Sequence, residues 1–263
     1  MYDYHTHTSF SDDCDSPMEE MILGAIKKGI KEIVITDHLD PEYPDPEFPF
    51  VIDFDQYLAS IEQCREKYGQ QIKILQGIEL GIQHGKATEE CNAVASSIPF
   101  DFIIGSFHCF NGMDLFTTNY KAMEQEKILP AYYEYMYRCL KEFNQYDVLG
   151  HFNVIDRYLY FKPDYQNAME IIEAILQHII AQGKGIEVNT SSYRYGMGER
   201  TTPSREILTL YKDLGGEILT IGSDAHRPMD LAYGLDRAAA LAKSCGFKYF
   251  TTFEQRKPTM LPL

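Results

Sequence analysis

No stretch of this chain reaches the ~18 uncharged apolar residues that a membrane-spanning helix needs, so an integral membrane protein is not expected. Nor does the N-terminus show a basic segment followed by an apolar one, so no secretory signal is expected. Six cysteines (Cys14, Cys64, Cys91, Cys109, Cys139, Cys245) are scattered without a Cys-x-x-Cys pair. That argues against a disulfide framework and a cysteine-rich zinc module, and for a reducing cytoplasm. Basic residues are scarce: 24 Lys and Arg stand against 39 Asp and Glu, a formal charge of -15. Stable nucleic-acid binding, which draws its affinity from cations on phosphates, is therefore not expected. A small anionic substrate stays compatible, because divalent cations reverse the local sign of a pocket. No internal repeat, low-complexity tract or composition break divides the chain, so residues 1–263 are expected to form one domain.

Strand and helix signals alternate throughout. Short apolar runs at 2–7, 32–36, 72–80, 102–106, 147–151, 185–189 and 217–221 read as strands. Helical patterns occupy 17–28, 54–68, 88–97, 167–181, 204–214 and 231–245, with a helix or helix pair at 120–143 interrupted near Pro130. A trailing strand is expected at 249–252. Seven strand–helix units in 263 residues point to an α/β barrel, with a doubly wound open sheet as the alternative. The acidic, aromatic, Pro-rich loop at 41–49 reads as a rim loop.

The chemistry-bearing residues close the strands. His5-Thr6-His7 places two imidazoles on one face of a strand, within reach of one metal ion. Thr36-Asp37-His38, Gly77-Ile78-Glu79, Ser106-Phe107-His108, Gly150-His151 and Ser223-Asp224-Ala225-His226 each end an apolar run in the same way. Strand ends that together deliver His, Glu and Asp form the layout of a metal site on the C-terminal rim of a barrel. A carboxylate facing inward at Glu79 carries a desolvation cost that a cation removes, and its two oxygens suit a bridge between adjacent metals; a salt bridge to Lys or Arg is the bland alternative. Ser11-Asp12-Asp13-Cys14-Asp15 offers three acids, either a helix N-terminal cluster or a ligand source, and nothing local selects among them. His178 falls within a helix and is not expected in the cluster, whereas His84, in the loop after Glu79, stays a candidate rim residue.

In this order and spacing, His5-x-His7, Thr36-Asp37-His38, Glu79, His108, His151 and Asp224-x-His226 resemble the polymerase and histidinol phosphatase (PHP) superfamily. The segments Gly150-His151-Phe152-Asn153, Glu187-Val188-Asn189-Thr190-Ser191 and Ile221-Gly222-Ser223-Asp224-Ala225-His226 look most like its monofunctional histidinol-phosphate phosphatases. The resemblance implies a distorted (β/α)7 TIM-like barrel with two or three divalent metal ions (Zn, Mn or Fe) in a trinuclear centre. It implies His5, His7, Glu79 and Asp224 at the first metal, with Glu79 bridging to a second completed by His108 and His151. The third would use His38, His226 and Asp13, which lies six residues after His7 where other members often carry histidine. The implied reaction is hydrolysis of L-histidinol phosphate, a small phosphorylated substrate, by a metal-activated water, with Asp224 and His226 assisting proton transfer. Another small phosphomonoester, a nucleotide or a nucleic-acid end is the alternative substrate, and a noncatalytic binding domain is the alternative from another class. Arginine grips phosphate bidentately, and Arg157, Arg194 and Arg200 follow strand ends, so they are the candidate substrate-binding residues.

Overall fold

The computed structural model describes residues 1–263, apart from the side chain of Lys121. Seven parallel strands form the barrel: β1 (Tyr2–Asp3), β2 (Glu32–Ile35), β4 (Lys73–Gly81), β5 (Phe102–Ser106), β8 (Val148–Leu149), β9 (Gly185–Asn189) and β10 (Leu219–Gly222), adjacent in that order. The ring closes where the chain after β1 meets the end of β10. Thr6 bridges Ala225 in parallel, His7 N donates to Ala225 O at 2.9 Å, and Asp224 N donates to His5 O at 2.8 Å. The expected barrel is present. Its distortion lies after Ile35, where the short β3 (His38–Leu39) takes over the pairing with β4.

The crossovers are α1 (Met18–Lys27), α2 (Phe54–Tyr68), α3 (Lys86–Ser97), α4 (Gln125–Glu142), α5 (Met169–Ala181) and α6 (Arg205–Asp213), with α7 (Leu235–Ser244) following β10. A small hairpin, β6 (Cys109–Phe110) with β7 (Met113–Asp114), stands on the rim after β5. Both faces of the strands are buried, as parallel sheets covered by helices require. Pro130 sits inside α4 without ending it. One lost backbone bond is outweighed by the buried face of Ile128, Leu129, Tyr132, Tyr133, Met136, Cys139 and Leu140, each worth on the order of 1.5–3 kcal/mol for the larger aliphatic groups. The last helix starts four residues later than its apolar pattern, because Ala232 (φ 56°) and Gly234 (φ 71°) take left-handed backbone that no helix continues.

The trailing strand is half of an antiparallel hairpin, β11 (Tyr249–Glu254) with β12 (Lys257–Pro262), which stands apart from the barrel sheet. It caps the N-terminal end of the barrel. Phe253 packs into the interior cluster of Tyr4, Val34, Leu75, Phe102, Ile104 and Val148, and its N–H donates to the Tyr4 hydroxyl at 2.8 Å. The bottom is thus sealed by apolar rings, which leaves the C-terminal rim as the polar end.

Candidate metal centre

Alternation along β4 decides where Glu79 goes. Leu75 lies in the interior cluster, so Gly77 and Glu79, two and four residues on, face inward as well. Gly77 leaves no room for a side chain: a Cβ there would meet Val34 at 2.7 Å and Thr36 at 2.9 Å. Glu79 is fully buried at the rim, and its carboxylate is the hub of the site. Oε2 faces His5 Nε2 at 3.0 Å, His38 Nδ1 at 3.0 Å and His7 Nε2 at 3.6 Å. Oε1 faces His151 Nε2 at 3.0 Å and His108 Nε2 at 3.3 Å, and accepts from the Ser106 hydroxyl at 2.5 Å.

A second carboxylate extends the cluster. Asp224 Oδ1 lies 3.3 Å from His7 Nε2, 3.8 Å from His5 Nε2 and 3.7 Å from His226 Nδ1. Asp13 Oδ2 lies 3.2 Å from His226 Nε2 and 3.8 Å from His38 Nε2. Asp12 turns elsewhere, accepting the N–H of Phe50. The rings of His7 and His226 stack at 4.1 Å and those of His7 and His38 at 4.3 Å. His5, His7, His38, Glu79, His108, His151, Asp224 and His226 are therefore brought into one group with Asp13, while Asp37 turns to Thr8 and Ser11 and His84 and His178 lie outside it. His84 pairs with Glu142 and His178 bonds the Leu140 carbonyl.

Two further buried carboxylates, which the sequence did not assign to the histidine cluster, stand against it. Asp40 Oδ1 lies 2.7 Å from His108 Nδ1, and Glu187 Oε1 lies 2.7 Å from His5 Nδ1. Asp40 had a signal, since His38-Leu39-Asp40 repeats the spacing of His5-Thr6-His7. Glu187 is an acid in the middle of an apolar strand, the same signal that marked Glu79.

The residues fit divalent cations. Four triplets hold ligand atoms all within 4.8 Å of one another: His7, His38 and His226; His5, His7 and Asp224; His5, Glu79 and His151; and His38, Asp40 and His108. His7 Nε2, His38 Nδ1 and His226 Nε2 are buried and lack a hydrogen bond of sound geometry although carboxylate oxygens are close. Imidazole and carboxylate donors suit Zn, Mn or Fe. No thiol joins them, and burial pushes the Cys14 thiol up to about 11.

Charge balance points the same way. Burial pulls His5 down, but Glu187, Glu79 and Asp224 outweigh it and hold its pKa well above the usual imidazole range. Burial likewise opposes His38, which Glu79 and Asp13 nevertheless push up to about 9, and His108, which Asp40 and Glu79 raise well above normal. His7 goes the other way, lowered to about 3 by burial and by the neighbouring His226 and His38. In metal-free protein at pH 7, His5, His38 and His108 accordingly carry protons that cation uptake must displace. We expect proton release on loading at pH 7, and an apparent affinity that climbs as pH rises toward about 9, where His38 loses its proton unaided. Chelator competition between pH 6.5 and 9.5 measures this; a flat profile contradicts it.

The arginines divide. Arg157 donates to the Ser191 hydroxyl at 2.7 Å, and that hydroxyl donates to Asp224 Oδ2 at 2.9 Å, so the guanidinium stands one group from the cluster. Its other face lies over the Tyr195 ring at 4.5 Å. Arg194 donates to the carbonyls of Ser223 at 3.0 Å and Asp224 at 2.8 Å, bracing the turn in which Asp224 sits at φ 54°. Arg200 is exposed, bonds the Met197 carbonyl, and lines an outer groove with Arg205 and Arg237.

The class of protein is an α/β barrel whose C-terminal rim gathers imidazoles around a shared buried carboxylate, a candidate metal site. The chain belongs to the PHP domain family, which it matches over residues 3–191. It is 32% identical over 253 residues to a probable histidinol-phosphatase of Clostridium acetobutylicum, covering 94% of this chain and 95% of that one. It is 29% identical to the histidinol-phosphatase of Lactococcus lactis, covering 97% and 95%. Among solved structures, the histidinol phosphate phosphatase of Lactococcus lactis, complexed with Zn, L-histidinol and phosphate, superposes with a TM-score of 0.88 at 28% identity, covering 98% of both chains.

Proposed function

We propose that this chain hydrolyses L-histidinol phosphate to L-histidinol and phosphate, using divalent cations held at the barrel rim. The observation that carries the reading is Glu79, whose two oxygens face two separate sets of imidazoles. His5, His7, Glu79 and Asp224 would hold one cation; Glu79, His108 and His151 a second; His38, His226 and Asp13 a third. Bound there, such ions neutralise phosphate charge and lower the pKa of water. The remaining steps fall to side chains. Arg157 directs its remaining N–H groups at the phosphate, and Arg194 keeps Asp224 in place beside it. Asp224 and His226, beside the cations, assist proton transfer to the leaving alkoxide.

The loop between β3 and α2 walls one side of the site with Tyr43, Phe48 and Phe50, the last packed edge-on to His38 at 5.1 Å. With its acids, this wall suits the imidazole and amine of the substrate. The family match ends at Ser191, yet Asp224 and His226 complete the cluster from β10. Residues 1–263 therefore act as one catalytic unit. No helix is long and apolar enough to cross a membrane, and all six cysteines are free, which agrees with a cytoplasmic enzyme.

Phosphate release from a panel tests this: histidinol phosphate, p-nitrophenyl phosphate, a nucleotide and a 3′-phosphorylated oligonucleotide, with metal content measured on the same sample. Histidinol phosphate should lead p-nitrophenyl phosphate in kcat/KM by at least about a hundredfold, or ~2.7 kcal/mol, despite its poorer leaving group. Its amine and imidazole supply binding energy that is used in the transition state. Equal or slower turnover removes the substrate assignment, and a faster nucleotide or oligonucleotide replaces it.

A further inference from the structure

Glu187 is fully buried, and every hydrogen bond it makes is one it accepts. Oε1 takes His5 Nδ1 at 2.7 Å; Oε2 takes the backbone N–H of His151 at 3.0 Å and the Asn189 amide at 3.2 Å. No Lys or Arg pairs with it among the described residues. The two histidines it grips turn their Nε2 atoms to opposite oxygens of Glu79, His5 to Oε2 and His151 to Oε1, each at 3.0 Å. His151 also sits at φ 22°, a backbone conformation that side-chain-bearing residues rarely adopt, and the bond from its N–H to Glu187 helps hold it there. The approach is close enough that a Cβ at Gly222 would fall 2.3 Å from both Glu187 Oε1 and His5 Cβ.

We propose that Glu187 is a positioning residue that ties two cation positions together: it keeps the His5 proton on Nδ1, freeing Nε2 as a ligand, and anchors the backbone of His151, a ligand of the neighbouring position. The proposal rests on the metal-centre reading above. Its physical basis is acceptor count. Both partners are donors, and a carboxylate accepts from both. A glutamine of the same size has one oxygen and one NH2. The backbone N–H of His151 cannot change role, so the amide oxygen goes there and the NH2 faces His5 Nδ1. His5 must then accept at Nδ1 and carry its proton on Nε2, the atom that faces the cation. The reverse orientation sets two donors against each other at His151.

Glu187→Gln should weaken binding of Zn or Mn by roughly tenfold to a hundredfold, the usual effect of removing such a partner of a ligating histidine. Chelator competition on the purified protein reads that affinity directly. Thermal unfolding in the presence of excess chelator shows whether the metal-free fold survives, and excess metal should restore much of the lost turnover. Glu187→Asp, which keeps both acceptors on a shorter stem, should bind metal more tightly than Glu187→Gln. Unchanged affinity in Glu187→Gln overturns the proposal, as does a loss confined to metal-free stability, or an aspartate variant no better than the glutamine one. Wild-type protein that binds no cation overturns the metal-centre reading and this inference with it; wild-type and Glu187→Gln proteins that bind cations equally overturn this inference alone.

Discussion

Glu79→Gln should lower kcat/KM by at least about a thousandfold, or ~4 kcal/mol of transition-state stabilisation at ~1.4 kcal/mol per tenfold. Metal content should fall with it. An amide fills the same volume and still accepts from Ser106, but it has no charge and only one oxygen, so it cannot serve both sets of imidazoles. The metal-free fold should change far less. Glu79 is the main partner that raises His38, while Glu187 comes before it at His5 and Asp40 before it at His108, so a neutral residue 79 loosens the proton on His38 and leaves the other two buried imidazoles with a carboxylate partner. Elemental analysis and thermal unfolding with and without chelator separate the two effects. Full metal content with near-normal turnover would make Glu79 an ion-pair hub and nothing more. Loss of the metal-free fold with cation binding intact would lead to the same conclusion.

Replacing Arg157 or Arg194 with Ala is the second large effect, and the structure makes the two differ. A charge-assisted contact to phosphate is worth roughly 1.5–3 kcal/mol, so Arg157→Ala should cost about tenfold to a hundredfold or more in kcat/KM. Its metal content should match wild type, because its contact toward the cluster runs only through the Ser191 hydroxyl. Arg194→Ala should cost at least as much and lose metal too, since its guanidinium braces the carbonyls of Ser223 and Asp224. Steady-state kinetics with metal analysis on both variants decides this. Wild-type kcat/KM in Arg157→Ala would remove that residue from phosphate binding. Full metal content in Arg194→Ala would show that the Asp224 turn stands without it. Arg200, on the outer groove, makes the weakest case of the three.

Much of the site was legible in the chain because strand ends are local features. An apolar run of five or so residues followed by Gly, Ser or Asp and then His announces both the strand and the side its last residue faces. That is why His5, His7, His38, Glu79, His108, His151, Asp224 and His226 could be named together before any contact was known. Asp13 needed the family spacing, since the acids on either side of it are chemically equivalent until the loop is folded. The structure separates the nearest pair by sending Asp12 to the Phe50 N–H and Asp13 to His226.

Glu187 and Asp40 were harder. A carboxylate in or beside a strand announces burial only when its partner is known, and Glu187 meets His5 across 182 residues of chain. The role of the last strand was equally hidden. Its apolar pattern fits a barrel strand as well as a plug, and what decides is that β1 and β10 already close the ring, leaving β11 and β12 to cover the open bottom.

By itself, then, the sequence determined the alternation of strands and helices and the rim residues that carry metal chemistry, because strand periodicity and turn chemistry act over a few neighbouring residues. Only the tertiary structure decided which oxygen of Glu79 faces which imidazole, which acid meets His226, and which buried carboxylates stand behind His5 and His108. Those pairings exist only once residues 5–7 lie against 224–226 and the ring is closed.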